Sequence, residues 1–151
     1  MSERELRCLL VGFAGGRLLL PGSMIVEVLP YATPLRAADA PHWVLGSLLW
    51  RARTVPLIGI EPLVTGRPAE PGARSRIVVL TTPSERVRHL ALVSLEVPQL
   101  SLLTRETLKA NDELDCPPGM LRAVQIGDQR AWIPDLDLLC EELAPLGVYR
   151  A

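Results

Sequence analysis

A chain of 151 residues with 48% apolar and 22% charged side chains has the composition of a soluble globular domain, not of a disordered tail. Sixteen basic residues against seventeen acidic ones, without a block of like charge, exclude phosphate-backbone binding as the main activity, so no nucleic-acid partner is expected. No apolar stretch approaches the roughly 20 residues of a membrane helix, and Met1–Arg7 is too charged for a signal peptide; the reading is a cytoplasmic protein without direct membrane insertion.

In chain order, Arg7–Phe13 and Arg17–Leu20 are apolar runs around Gly15-Gly16, where positive φ suits a hairpin turn, and Pro21 stops the second run. Gly22-Ser23 caps one helical turn before the short run Met24–Leu29. Val44–Trp50 and Arg53–Ile60 follow, separated by Arg and a turn. Thr65–Ala73, rich in Pro and Gly and without an apolar period, reads as a linker. Beyond it, Arg76–Leu80 and Val87–Val93 flank the turn Thr82-Pro83-Ser84-Glu85, a second hairpin. Thr104–Lys109 begins with a cap-like Thr and acidic first-turn residues and is assigned a short helix. Leu121–Ile126 and Gln129–Ile133 around Gly127-Asp128 make a third hairpin, closed by Pro134. Asp135 caps a final helix, Leu136–Leu143, with Leu136, Leu139, Cys140 and Leu143 on one face. Short, evenly spaced strands with few helices predict a mainly β protein, a barrel or sandwich.

Chemistry-bearing residues are sparse. Cys8, Cys116 and Cys140 are too far apart for a CxxC metal site, and His42 and His89 lack a second ligand at zinc spacing, so no metal and no cofactor are expected. The acidic loop Lys109–Gly119 lacks the glycine and closing carboxylate of a calcium loop. No phosphate loop, GxSxG or HExxH is present, so no catalytic residues are assigned and the chain is not read as an enzyme. Glu27 interrupts an apolar run and, at a two-residue period, shares a face with Ile25 and Leu29. It either guards an edge strand against aggregation or joins Ile25 on a binding surface. Trp50-Arg51 is either an aromatic–cation anchor pair of the kind enriched at protein interfaces, or a core Trp beside a surface turn Arg.

The order Leu19–Pro21, Ile25-Val26-Glu27-Val28, Pro41-His42-Trp43-Val44-Leu45-Gly46, Leu49-Trp50-Arg51-Ala52 and Val55-Pro56-Leu57 resembles the first lobe of the CheW family, coupling proteins that bridge chemoreceptors and a histidine kinase. Arg76–Leu80 with Val87–Val93, and Ile133-Pro134-Asp135-Leu136 through Leu139, resemble its later hairpin and terminal helix. The resemblance implies two packed five-stranded SH3-like β-barrels with short helices and a C-terminal helix. One CheW-like domain then spans 1–151, with a first lobe of about 7–64, a linker 65–73, a second lobe of about 74–134 and a helix 135–143.

It also implies a non-enzymatic adaptor that binds the regulatory domain of a CheA-type kinase and the cytoplasmic helical hairpin of a chemoreceptor, with other CheW-like proteins as further partners, in association with membrane-bound receptor arrays. Carried over by position, Ile25, Glu27, Gly46, Trp50 and Arg51 fall on the receptor- and partner-binding surface, with Gly46 admitting a partner helix, while an apolar strand edge or loop is left for the kinase. The rival readings are a ligand-binding or enzymatic β-barrel and an array-assembly partner without receptor contact. Leu49 stands where the family has Asn, Ala52 where it has Gly and Val93 where it has Asp, which marks a divergent or auxiliary member, for example of a pilus-type pathway.

Overall fold

The computed structural model describes residues 5–36 and 39–146. Eleven strands form two sheets: β1 (Leu6–Phe13), β2 (Gly16–Pro21), β3 (Ile25–Pro30), β4 (Val44–Trp50), β5 (Arg53–Ile58), β6 (Arg76–Thr81), β7 (His89–Ser94), β8 (Gln99–Leu103), β9 (Leu108–Ala110), β10 (Met120–Ile126) and β11 (Gln129–Pro134). Among the described residues there are two α-helices, α1 (Ile60–Thr65) after β5 and α2 (Leu136–Leu143) after β11, and Gly22–Met24 makes a helical turn that leads into β3. One sheet has six strands, β8-β1-β2-β11-β10-β9, and the other five, β3-β6-β7-β5-β4.

Each sheet buries one face against itself, which requires it to curl into a barrel. In the five-stranded sheet Trp50, Val55, Leu57, Ile77, Val79, Ala91 and Val93 form a cluster of their own. In the six-stranded sheet Cys8, Leu10, Leu19, Leu103, Val124 and Ala131 do the same. A third and larger cluster lies between the barrels: Leu9, Val11, Leu18 and Leu20 meet Val78, Leu80, Leu90 and Leu92 there, with Leu136, Leu139, Cys140 and Leu143 of α2. The alternation in β1 and β6 explains this layer, since odd and even positions point into the barrel and into the layer in turn. Helix α2 runs over the predicted residues, and the Asp135 carboxylate accepts from the Leu138 N–H at 3.2 Å as its cap.

Three expectations change. The expected lobes of 7–64 and 74–134 do not correspond to the barrels, because β1 and β2 join the C-terminal strands while β6 and β7 insert between β3 and β5. The parallel pairing of β5 with β7 and of β11 with β2 interleaves the two halves, and the 65–73 segment connects elements of one region instead of separating two. One barrel has six strands instead of five. Thr104–Lys109 is not a helix: Leu108 N–H bonds the Thr104 carbonyl at 3.0 Å in one turn, after which β9 pairs Lys109 with Gln125. A single turn gains one hydrogen bond, whereas the strand extends a sheet.

Helix α1 carries a buried carboxylate, Glu61, at 1% exposure. Its Oε1 accepts from the Ala14 N–H at 2.8 Å and so ties the β1–β2 turn to the other half of the molecule, while Oε2 has no partner. Among the described residues no helix is long and apolar enough to cross a membrane, and none of their His, Cys, Asp and Glu side chains form a group placed to hold a metal ion.

Candidate protein-docking site

The strand directions bring one end of β3, β4, β5, β6 and β7 to a common rim of the five-stranded barrel. Ile25 pairs with Leu80 at the start of β3, Thr81 with His89 at the β6–β7 end, and Trp50 with Arg53 across the β4–β5 turn. On this rim the Arg51 guanidinium donates to Glu27 Oε1 at 2.8 Å and lies 4.5 Å from the centre of the Trp50 ring. Trp50 is buried, its ring 5.1 Å from that of His89, and its indole N–H has no acceptor. The pair is solvated, with side-chain exposures of 61% for Arg51 and 36% for Glu27, so it adds about 0–1 kcal/mol to stability. Its larger effect is positional: it holds an exposed cation over an aromatic ring.

Local backbone explains that placement. Arg51 (φ 47°) and Ala52 (φ 61°) both adopt the left-handed region, the geometry of a two-residue hairpin turn whose twist matches the flanking strands. A side chain at such a position costs about 1–2 kcal/mol. Ala52→Gly is therefore expected to raise stability by about 0.5–1 kcal/mol once the greater entropy of Gly is counted. Chemical denaturation measures this, and a destabilised variant would contradict the turn geometry.

Ile25 belongs to a different face. A bulge between Ile25 and Glu27 puts Ile25 opposite Leu80, which faces the layer between the barrels, and Glu27 opposite Val79, which faces the barrel interior. The extra residue cancels the two-residue period, so the expected common face of Ile25 and Glu27 does not form. Val28 pairs with Val78 on the same outer side as Ile25 and is 42% exposed.

The other barrel ends in β8, an edge strand that the sequence reading did not identify. Leu100 pairs with Leu9 and Leu102 with Arg7, so both project from the outer face of their barrel, at 67% and 55% exposure. The turn at Gly22 abuts the Arg7 carbonyl, which brings the start of β3 beside β1. Ile25 and Val28 on one barrel and Leu100 and Leu102 on the other thus lie on the barrel faces that carry the shared apolar layer. The signal for β8 was present as the alternation of Leu100, Ser101 and Leu102, hidden between Pro98 and the acidic loop.

Gly46 lies at the far end of β4, four residues and roughly 13 Å from Trp50, away from the rim. Its φ is 149°, and a Cβ there would overlap the Leu35 carbonyl, whose carbon would lie 2.7 Å away. The close approach that requires glycine is by Leu35 of this chain, which exchanges two hydrogen bonds with Ser47 at 2.8 and 3.0 Å. Among the five carried-over residues, then, the structure joins Glu27, Trp50 and Arg51, turns Ile25 toward the layer between the barrels, and gives Gly46 an internal task.

Two curled sheets packed through a shared apolar layer, with their charged and aromatic groups on an exposed rim, define a double-barrel protein. The family model of the CheW-like domain matches residues 7–144, and the chain belongs to this family of chemotaxis scaffold and adaptor proteins. Its fold is similar to that of the scaffolding protein TtCheW from Thermoanaerobacter tengcongensis, with a TM-score of 0.75 at 12% identity over 89% of this chain and 87% of that one. No curated protein sequence matches the chain.

Proposed function

We propose that this chain is a non-enzymatic adaptor that couples a chemoreceptor to a CheA-type histidine kinase through two separate surfaces, in association with membrane-bound receptor arrays. The observation that supports it most is the division of the exposed features between the barrel faces that carry the shared layer and the rim. The apolar residues Ile25, Val28, Leu100 and Leu102, on the faces by which the two barrels meet, suit an amphipathic helical hairpin, which buries its apolar face against them. The Glu27–Arg51–Trp50 rim, which the resemblance puts on the receptor-facing surface, is assigned in this reading to a globular regulatory domain instead, because Ile25 lies on a different face and because aromatic and Arg side chains dominate binding at contacts between globular domains. Other CheW-like proteins are further candidates for the strand edges.

The experiment is a pair of titrations with the receptor hairpin fragment and the CheA-type kinase regulatory domain of the same organism. Leu100→Asp and Ile25→Asp place an unpaired charge on the apolar face proposed for the hairpin and are expected to abolish hairpin binding while sparing the kinase domain. Loss of both partners together, or of neither, would contradict two independent surfaces.

A further inference from the structure

The rim carries more cations than the Glu27–Arg51 pair uses. Arg53 begins β5 directly across the turn from Trp50, Arg88 precedes β7, and both are exposed, as is Arg51. Against these three guanidiniums the same strand ends and the 82–88 loop contribute two carboxylates, Glu27, which is bound to Arg51, and exposed Glu85. The loop's other cation, Arg86, lines a surface hollow with Asp137 and Glu141 of α2 and is directed to that side. His89 reports the same crowding: burial first, and then the charges of Arg53, Arg51 and Arg88, lower its imidazole from the ordinary value.

We propose that this rim selects an acidic face on its protein partner, with Arg51, Arg53 and Arg88 as the receiving cations and Glu27 as an internal carboxylate that occupies Arg51 until the partner displaces it. The inference rests on the coupling reading above and names the chemistry of the kinase-side contact. A second copy of this chain does not fit, because two such rims present cations to each other. Nucleic acid does not fit either: the chain's net charge is −1, and Leu49, 82% exposed beside Trp50, adds an apolar contact that a phosphate backbone cannot use. A protein surface that alternates carboxylates with apolar groups satisfies both features, the charges setting encounter rate and orientation.

Glu27 gives the proposal a distinctive sign. If it competes with the partner's carboxylates, removing its charge frees Arg51 and raises the positive potential, so Glu27→Gln tightens binding. If it contacts a partner cation, the same change weakens binding.

The test titrates wild type, Arg53→Glu, Arg88→Glu and Glu27→Gln with the kinase regulatory domain at low and high salt, with the receptor hairpin fragment as a parallel arm. All three sites are exposed or half-exposed, and thermal melts confirm that each variant is folded. The expected result is a loss of about tenfold or more for each Arg→Glu variant and a gain for Glu27→Gln, with affinity falling as salt rises and the hairpin arm unmoved. Wild-type binding of the kinase domain that ignores salt and both reversals overturns the acidic-face proposal and leaves the coupling reading standing. Weaker binding by Glu27→Gln, or equal losses in both arms, also overturns it. Failure of wild type to bind the kinase domain at all overturns the coupling reading, and this proposal with it.

Discussion

Arg51→Ala is expected to weaken binding of the kinase regulatory domain by roughly 2–5 kcal/mol while changing fold stability by about 1 kcal/mol or less. The two magnitudes differ because the same side chain meets two environments. In the free protein Arg51 is solvated at 61% exposure, so its contacts with Glu27 and the Trp50 ring are screened by water. Under a docked domain the guanidinium is desolvated, and truncating it leaves the partner's acceptor buried and unpaired. Calorimetric titration and chemical denaturation on the same preparation separate the effects. Equal affinity for wild type and variant would leave the rim without the role proposed for it.

Gly46→Ala is expected to act in the opposite sense, costing roughly 2–5 kcal/mol of stability while leaving the affinity of the folded fraction for either partner unchanged. A methyl group at this position meets the Leu35 carbonyl in a backbone region that side chains rarely adopt. Relief requires moving the 35–47 bridge, with loss of its two hydrogen bonds along the outer edge of β4. Denaturation curves read the first effect and titration the second. A stable variant with lost binding would restore Gly46 to a direct docking role.

Local patterning carried much of the fold. The β10–β11 hairpin is legible because Gly127, with φ of 57°, separates two apolar runs of similar length, and α2 because Asp135 caps a helix whose buried positions recur at three and four residues. Helix α1 is not legible: six residues starting Ile60-Glu61-Pro62 continue the apolar run of β5, and the burial of Glu61 depends on the distant Ala14 N–H. The interleaving of the barrels is invisible for the same reason, since partners such as Leu57 and Ala91 are chosen by packing across the chain and not by neighbours in sequence.

For the site, residue types were legible and faces were not. The Glu27–Arg51 contact joins two residues that the family resemblance placed on one surface, but the bulge at Ile25/Glu27 and the second one at Val44/Gly46 each shift the alternation by one residue. A bulge leaves no mark in hydrophobic periodicity until the partner strand is known. Gly46 shows the same limit, because its need for glycine comes from Leu35, eleven positions earlier and joined to it only through an isolated bridge.

The most direct test of the coupling account is the mass of the complex formed when this chain, the kinase regulatory domain and the receptor hairpin fragment are mixed and sedimented. The account predicts one species containing all three proteins, which loses only the hairpin in Leu100→Asp and only the kinase domain in Arg51→Ala. Mutually exclusive binary complexes, with the hairpin displacing the kinase domain from wild type, would contradict it.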